Sequence, residues 1–490
     1  MKKVFLLFIA LILFAYSNLK AQTGMQWSAP IDVSITSGNK SPVVGILQNG
    51  SPALTWGNGS KILFTRMVDD AFITPIELST GSVSPNIYSF GGIDMAIKDN
   101  QIFIVFENFD NGVFIIKSSD GGETFQNPVN VYDPAPGKWA TLSSIAIDDS
   151  GNPLVSVILE NTNETQGQYI MMRSSDAGAT FSPPVVASAA AAGDYVCECC
   201  PSDIYTRGDD IWLIFRNNDN NLRDMWVCKS ENSGDDFDSA VDVDATDWML
   251  NACPIAGPKI APLAGDSLIT IWKSGGGGGS RVYISTLDGS TMEKGLELVL
   301  PQTNVNSFQG SANIAGARDT IGIVWEETGF GVNSTDLMFA LSKNGSSDLV
   351  ANIANITEAP STQKFPSLVY ADGVFHLFYT NGTGLQYLKG IVSEVLSSPD
   401  QIQNTHCFEL IENPITDGII KFKNSCQTGT LAFNAQLVDL SGKIIYTWDN
   451  KTLNAANELN FDALQTPTGI YLFTLSSKSG SWSEKVMIGR

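Results

Sequence analysis

The sequence predicts an all-β protein, a β-propeller of seven blades, or of six on the alternative count, followed by a small C-terminal β-sandwich. Three observations lead to this fold class. A turn-like phrase recurs at a fixed interval, groups of apolar strands repeat around it, and the period ends at about residue 405. A constant period of this size, closing a β-rich stretch each time, is typical of propeller blades.

The recurring phrase starts at Ser118, Ser174 and Ser230, at intervals of 56 residues, and reads SSDGGETF, SSDAGATF and SENSGDDF. The Asp or Asn in third place is able to bond the backbone amides ahead of it. The Gly in fifth place supplies a positive φ, and the final Phe anchors the next strand. Each copy is therefore expected to be a turn between two antiparallel strands.

Extending the period in both directions finds four more copies of the strand before the turn, at Lys61, Arg281, Leu337 and Leu385. Two apolar strands precede each copy and a short strand follows most of them, which gives four strands per blade. No clear fourth strand follows Val392. Because Trp27–Val33 is similar to Phe237–Val243, the N-terminal strand is expected to complete the last blade and close the ring.

The N-terminus predicts a signal peptide over residues 1–21. Met1–Lys3 is cationic, Val4–Tyr16 is apolar, and Ala21 precedes the expected cleavage point. A membrane anchor is the alternative, but the apolar run is too short and no later segment approaches a span. The mature protein is therefore expected to be secreted, with no membrane span.

Composition limits the partners. The 490 residues carry 51 acidic and 29 basic side chains, a net charge of −22. Residues 22–404 suffice for one propeller without an internal linker. Loss of the leader removes Lys2, Lys3 and Lys20, which moves the net charge to about −25. This charge repels nucleic acid and anionic membranes, so neither is expected as a partner.

The seven cysteines are Cys197, Cys199, Cys200, Cys228 and Cys253 in the propeller, and Cys407 and Cys426 in the tail. Disulfides are favoured in an exported chain, and the two tail cysteines flank adjacent strands and are a candidate pair. A thiolate metal site is the minority interpretation, since neither His376 nor His406 lies near the cluster. Neither metal nor cofactor is expected. Five is an odd number, and Cys228, in mid-strand, is the candidate buried thiol.

The recurring turns all emerge on one face, the turn face. Connectors between blades and loops between second and third strands emerge on the opposite one, the connector face, where we expect the functional site. Two adjacent connectors carry Cys197–Pro201 and Asp247–Pro254. Disulfides among Cys197, Cys199, Cys200 and Cys253 would either preorganise a binding rim or only staple a blade junction.

Cationic and aromatic side chains gather on the same face. Arg216, Arg223 and Arg281, on neighbouring loops, form a candidate anion pocket, with Lys273 and Trp248 as further substrate-binding candidates. The alternative for Arg223 is an ion pair with Asp224 or Asp219 that ties its own loop. The glycine run 275–279 fits either a flap near a ligand or a solvated loop.

Carboxylates on this face are candidate proton donors: Glu107, Asp247, Glu326 and Glu327. Adjacent carboxylates raise one another's pKa, and adjacent residues on a strand point in opposite directions, so one of Glu326 and Glu327 is expected to face the channel. Glu326 and Asp247 are the catalytic candidates. Trp248, Trp272, Trp325 and Tyr379 are candidates for stacking on sugars, with Trp325 favoured as core.

The recurring phrase resembles the Asp box, or BNR repeat, of the sialidase and neuraminidase superfamily, in which the box is structural and lies away from the active site. The phrases Cys-x-Cys-Cys-Pro, Arg-Asp and Cys-Pro-x-x-Gly-Pro resemble secreted BNR-repeat proteins labelled exo-α-sialidase. The resemblance implies a glycosidase in which three arginines grip a sugar carboxylate and an Asp and a Tyr perform the chemistry. Two departures are the seventh blade and Lys40-Ser41-Pro42, which stands where the family has Arg-Ile-Pro.

The tail, residues 405–490, resembles the C-terminal sorting domain of the type IX secretion system. The resemblance rests on Glu412–Gly418, Ala435–Lys443, Pro467–Phe473 and Lys485–Ile488. It implies that the secretion machinery is a partner, that the tail is removed on export, and that a Bacteroidetes-type bacterium displays or releases the protein. A generic β-sandwich is the alternative.

Two functions follow from these patterns. The first is a secreted, sialidase-like glycosidase for anionic sugars of an extracellular glycan or glycoprotein. The second is a non-catalytic propeller that binds a glycan or a protein at the cell surface. A polysaccharide lyase is disfavoured, because His376 and His406 fall in a strand and in the tail.

Overall fold

The structure is a computed structural model. It describes residues 24–108, 112–193, 195–303, 306–329, 334–357, 361–382, 384–393, 408–424, 433–439, 444–452, 458–477 and 480–489. The chain divides into two compact units, Met1–Val392 and Ser393–Arg490. The predicted signal peptide, the predicted boundary between residues 404 and 405, and the predicted cysteine pair Cys407 and Cys426 lie outside the described residues.

Within the described residues, the first unit consists of seven antiparallel sheets. The strands are given from the inner to the outer strand of each sheet. Blade 1 consists of Asn39–Ile46, Pro52–Asn58, Lys61–Val68, Ala71–Phe72 and Ile76–Leu78; blade 2 of Ile93–Lys98, Gln101–Asn108, Gly112–Ser118 and Val129–Tyr132; blade 3 of Lys138–Ile147, Pro153–Asn161, Thr165–Arg173 and Val185–Val186; and blade 4 of Asp203–Arg207, Asp210–Asn218, Met225–Ser230 and Ser239–Asp242, with Tyr195–Val196 beside the second strand. Blade 5 consists of Lys259–Pro262, Ser267–Ser274, Arg281–Asp288 and Lys294–Val299; blade 6 of Gln309–Ala317, Thr320–Thr328, Thr335–Ser342 and Ile353–Asn355; and blade 7 of Gln363–Ala371, Val374–Asn381, Gly384–Val392, Met25–Trp27 and Ile31–Ser34.

The sheets close into a ring. Each inner strand packs beside the inner strands of the preceding and following blades, and Gln363–Ala371 of blade 7 packs beside Asn39–Ile46 of blade 1. The N-terminal strands Met25–Trp27 and Ile31–Ser34 both pair with Gly384–Val392, so the start of the chain supplies the outer strands of the last blade. The predicted β-propeller is confirmed, with seven blades.

The core consists of seven apolar clusters, each between two neighbouring blades. The second strand of a blade is apolar over nearly its whole length, as in Gln101–Asn108, because both faces of every sheet are covered by another sheet. Trp325, favoured as core, is fully buried between blades 5 and 6, and Trp272 is buried between blades 4 and 5.

The recurring turns have the expected chemistry. Asp120 Oδ1 accepts the amides of Glu123 and Thr124, both at 3.0 Å. The hydroxyl of Ser118 accepts the Gly122 amide at 2.9 Å, and Gly122 has a φ of 82°. The second turn repeats this network, and the third keeps it with Asn232 in place of the Asp.

We expect the buried serine of such a turn to matter more than its exposed neighbour. Ser174→Ala leaves the buried Gly178 amide without its 2.8 Å acceptor, which we expect to cost about 1–2 kcal/mol of unfolding free energy. Ser175→Ala, at an exposed position in the same turn, is the matched control and should be neutral. Urea unfolding measures both. Equal stability of the two variants would contradict this role of the serine.

The second unit contains a three-stranded sheet of Phe408–Leu410, Ile419–Asn424 and Glu458–Asp462, and a four-stranded sheet of Ile444–Lys451, Phe433–Asp439, Gly469–Ser477 and Gly480–Ile488. Its core includes Phe422, Phe461 and Phe473. No helix in the described part of the chain has the length and apolar character that crossing a membrane requires.

Candidate binding site

The inner strands surround a cavity of about 310 Å³ at the propeller axis, to which all seven blades contribute. Its polar lining consists of seven serines, Ser41, Ser89, Ser143, Ser144, Ser202, Ser311 and Ser367, together with Asn313 and the charged residues Asp94, Asp203, Lys259 and Lys273. Phe90 and Phe365 add aromatic surface. A cavity of this size, with converging polar groups and aromatic walls, is typical of a small-ligand site. We call it the axial pocket.

Bulges at the start of several inner strands shape the pocket on the connector face. The ladder shifts register at Lys40/Val43, Thr141/Ser144 and Lys364/Ser367. Ser41, Leu142 and Phe365 have φ values of 44°, 54° and 53° at these bulges. A bulge leaves backbone groups outside the ladder, and side chains from neighbouring strands bond them here.

One register position explains where the charged side chains lie. It is the second or third residue from the end of each second strand, in the phrases WGN, FEN, LEN, FRN, WKS, WEE and YTN. The residues at this position are Gly57, Glu107, Glu160, Arg216, Lys273, Glu326 and Thr380. Because the blades repeat, these side chains occupy equivalent places around the connector face.

Two of these carboxylates bind bulge amides of the next blade. Glu107 accepts the amides of Leu142 at 2.7 Å and Ser143 at 3.0 Å. Glu326 accepts the amide of Phe365 at 2.8 Å. Burial raises the pKa of both carboxyls above the ordinary range. Glu326 thus lies directly behind the pocket wall at Phe365, whereas Asp247, the other catalytic candidate, is exposed on the connector into blade 5.

Glu327 points the other way, as expected for adjacent residues of a strand. Its carboxylate accepts the hydroxyls of Thr303 at 2.6 Å and Ser307 at 2.7 Å, and the indole N–H of Trp325 at 3.0 Å. Although burial alone would raise its pKa, these donors outweigh burial and lower the pKa. Glu327 therefore ties the connector into blade 6 and is not a proton donor to the pocket.

Lys273 lines the axial pocket. In the described part of the chain its ammonium group has no hydrogen-bond or ion-pair partner. Burial lowers the pKa of Lys273, and the nearby carboxyl of Glu326 acts in the opposite direction. An anionic ligand at this ammonium group would offset part of the cost of burying it.

The structure brings Arg216 and Arg223 together, but their guanidinium groups are engaged within the protein. Arg216 is fully buried and donates to the carbonyls of Arg223 at 2.7 Å and Lys273 at 2.5 Å. Arg223 donates to the Leu250 carbonyl at 2.9 Å and pairs with Glu198 at 3.4 Å, rather than with Asp224 or Asp219.

Arg281 lies apart and donates to the Leu300 carbonyl and to Gln302. Trp248 packs under Arg216, whose guanidinium carbon lies 5.1 Å from the centre of an indole ring. A Cβ atom at Gly275 would lie 2.9 Å from the same indole, so the start of the glycine run packs against Trp248. Among the sequence-based candidates, these contacts leave Lys273 at the axial pocket. Lys259 also lines the pocket, but its ammonium group pairs with Asp203 at 3.0 Å.

A disulfide joins Cys199 to Cys253 and so links the connector into blade 4 with the connector into blade 5. Cys197, Cys200 and Cys228 are buried and outside this bond. Burial raises the pKa of the Cys228 thiol to about 12, which makes it chemically inert. The sulfurs of Cys197, Cys199 and Cys200 lie within 4.8 Å of one another.

Glu160 is a residue that the sequence reasoning missed. Its position matches Glu107, but in the next blade Pro201 lacks an N–H, and the Cys200 amide donates to the Cys197 carbonyl at 3.3 Å. Glu160 Oε2 is buried without a partner. Burial, followed by the charges of Glu164 and Glu198, raises the Glu160 pKa to about 8. The shared ending of the second strands, FEN in blade 2 and LEN in blade 3, together with Pro201, would have revealed Glu160 from the sequence.

Glu160 should make the propeller less stable as pH rises. Its folded pKa lies above the ordinary 4.5, so the folded state binds the extra proton and its stability falls between about pH 5 and pH 8. We expect Glu160→Gln to remove up to about 1.4 kcal/mol per pH unit of this slope. Urea unfolding at several pH values measures it. Exposed Glu293→Gln is the control, and a slope unchanged in Glu160→Gln would contradict the assignment.

A comparison with known protein families finds a match in the second unit. Residues 413–489 match the family described as the secretion system C-terminal sorting domain. The tail therefore carries a type IX sorting signal, and the protein is exported to the cell surface or the extracellular space. The secretion machinery is thus a partner of the tail. A search of curated proteins finds no match.

Solved structures give distant similarity. A protein of unknown function from Dyadobacter fermentans is 12% identical, with a TM-score of 0.46, over 76% of this chain and 100% of that one. An α-L-arabinofuranosidase from Fusarium graminearum is 13% identical, with a TM-score of 0.43, over 75% and 98%. The Trypanosoma rangeli sialidase is 11% identical, with a TM-score of 0.41, over 92% and 84%. At these scores, none of their activities is transferred to this chain.

Proposed function

We propose that this exported propeller binds a hydroxyl-rich, anionic extracellular glycan in its axial pocket. The observation that carries the proposal is a cavity of about 310 Å³ that combines seven serine side chains with the unpartnered ammonium group of Lys273. Serine hydroxyls both donate to and accept from sugar hydroxyls, and an ammonium group pairs with a uronate or sialate carboxylate. Phe90 and Phe365 offer apolar surface to a sugar ring.

Exposed apolar side chains on the connector face support binding of an extended ligand. Phe308 is 59% exposed, Met249 66% and Tyr195 39%, and they stand on the connectors into blades 6, 5 and 4. Exposed aromatic groups beside a polar pocket are suited to stacking on further sugar units.

Binding is favoured over hydrolysis because the glycosidase hypothesis needs three arginines that bind the sugar. All three already donate hydrogen bonds to protein carbonyls, and Arg223 also pairs with Glu198. Hydrolysis remains the second candidate for one reason. Glu326 has a raised pKa, as a general acid requires, and its carboxylate lies one residue behind the pocket wall, bonded to the Phe365 amide. Asp247 is exposed on its connector and does not line the axial pocket, so it is the less favoured catalytic candidate.

Isothermal titration of the exported protein with sialylated and uronic-acid oligosaccharides tests binding. We expect Lys273→Gln to weaken binding about 10- to 100-fold, the range of a charge-assisted hydrogen bond. Lys61→Gln, which removes an exposed lysine paired with Glu77, is the matched control and should leave the affinity unchanged. Unchanged affinity in Lys273→Gln, or binding of neutral glycans alone, would refute the proposal.

The same panel separates binding from hydrolysis through sugar release. If Glu326 protonates a leaving group, Glu326→Gln abolishes release while binding persists, because the amide oxygen can still accept the Phe365 N–H. If no sugar is released by the wild-type protein, the glycosidase hypothesis is excluded for that panel.

A further inference from the structure

The connector into blade 4 holds two cysteines that the Cys199–Cys253 disulfide leaves out. Cys197 and Cys200 end a four-residue turn, in which the Cys200 amide donates to the Cys197 carbonyl at 3.3 Å. Their sulfur atoms lie 2.7 Å apart, closer than van der Waals contact, and both side chains are fully buried. Two thiols held this close inside an exported protein are in reach of covalent pairing.

In the folded connector, the surroundings of the pair stabilise the thiolate of one cysteine, Cys200. Arg223 Nη1 lies 3.1 Å from Cys197 Sγ. Burial and the neighbouring Cys200 nevertheless raise the pKa of the Cys197 thiol well above its ordinary value. Burial alone would raise the pKa of Cys200. The hydrogen bond from Cys197 and the charge of Arg216 outweigh burial and lower this pKa to about 7.

We infer that Cys197 and Cys200 form a second disulfide bond in the exported protein. A thiolate of the pair attacks the disulfide of a thiol–disulfide oxidoreductase to give a mixed disulfide. The second sulfur then displaces the oxidoreductase and closes the bond. The two thiol protons go to solvent, and the two electrons leave in the dithiol of the oxidoreductase. Because both sulfurs are buried in the finished blade, the reaction takes place before the connector packs.

The second disulfide bond would explain why the propeller has an odd number of cysteines. With Cys199–Cys253 and Cys197–Cys200 closed, Cys228 is the thiol that remains among the five. The second bridge also closes the turn around Glu198, whose carboxylate pairs with Arg223. The two bridges then fix the turn that carries Glu198, and so the carboxylate that pairs with Arg223, which is the preorganisation that a binding rim needs.

A bound soft metal ion is the competing outcome. Three sulfurs of the cluster lie within 4.8 Å of one another. However, the bond to Cys253 takes Cys199 out of this set and leaves two thiolates, fewer than the four ligands of a structural zinc site.

Peptide mapping of the exported protein tests the inference. The chain is unfolded without reductant, alkylated with iodoacetamide and digested with a protease that cleaves after Glu198. We expect Cys228 to be alkylated, and Cys197 and Cys200 to be recovered as a pair that is two hydrogens lighter than the dithiol. Alkylation of both, a Cys197–Cys253 link, or one equivalent of zinc or copper by elemental analysis would overturn the inference.

Thiol counts in variants add an independent readout. Cys197→Ser should raise the number of alkylated propeller cysteines from one to two, because Cys200 loses its partner. Cys228→Ser is the control and should lower the number to zero. If Cys197→Ser is not exported in folded form, the wild-type map alone decides. None of these outcomes depends on whether the axial pocket binds a glycan.

Discussion

Arg216→Ala is expected to lower the free energy of unfolding by about 3–5 kcal/mol, a large share of the total for a single domain. The guanidinium group bridges two blades, because it donates to the carbonyls of Arg223 in blade 4 and Lys273 in blade 5. It also covers the indole of Trp248. The truncation leaves two buried carbonyls without donors and opens a cavity beside the tryptophan.

Urea unfolding of Arg216→Ala against Arg318→Lys measures the effect. Arg318 is exposed, so its conservative replacement should leave the midpoint unchanged. If Arg216→Ala keeps wild-type stability but loses binding of acidic glycans, Arg216 contacts the ligand. Arg216 would then belong to the anion pocket that the sequence predicts, and its main role would be ligand binding instead of stability.

Loss of the Cys199–Cys253 disulfide should be similarly costly. The bond closes a loop with a sequence separation of 54, and in the chain-entropy account such a loop is worth about 4 kcal/mol. We expect the double variant Cys199→Ser, Cys253→Ser to unfold at lower urea concentration than wild type and to expose the connectors of blades 4 and 5 to proteolysis. Cleavage near Met249, which is 66% exposed, would report the released connector.

Cys228→Ser is the matched control for this pair, because Cys228 is buried but outside any disulfide. Its loss removes only a small apolar group, which should cost much less than the bridge. Equal stability of the double variant and wild type would show that the connectors are held by packing alone.

The blade count could be predicted from the sequence because turn chemistry is local. Ser118, Asp120 and Gly122 contact one another across a few residues, so their spacing alone marks the end of a third strand. The ring closure was also predictable, because no clear fourth strand follows Val392 and Trp27–Val33 is similar to Phe237–Val243. In the structure, Met25–Trp27 and Ile31–Ser34 both pair with the third strand of the last blade. Both predictions depend on repetition, because several weak copies of one pattern at a constant spacing identify the fold when a single copy would not.

The roles of the charged residues could not be predicted in the same way. Arg216 and Lys273 occupy equivalent positions of adjacent blades, yet Arg216 donates its hydrogen bonds to backbone carbonyls, whereas Lys273 lines the pocket. That difference depends on how two connectors pack, a long-range property that spacing does not encode. Glu160 is the exception, because the sequence shows that Pro201 has no N–H to donate, and one oxygen of Glu160, Oε2, is buried without a partner.

The central claim is that the axial pocket holds an anionic glycan against Lys273. A crystal structure of the exported protein soaked with the tightest-binding acidic oligosaccharide tests it most directly. We expect a sugar carboxylate within hydrogen-bond distance of Lys273 Nζ, with sugar hydroxyls on the serine side chains of the inner strands. A sugar bound on another surface, with the axial pocket empty at saturating ligand, would contradict it.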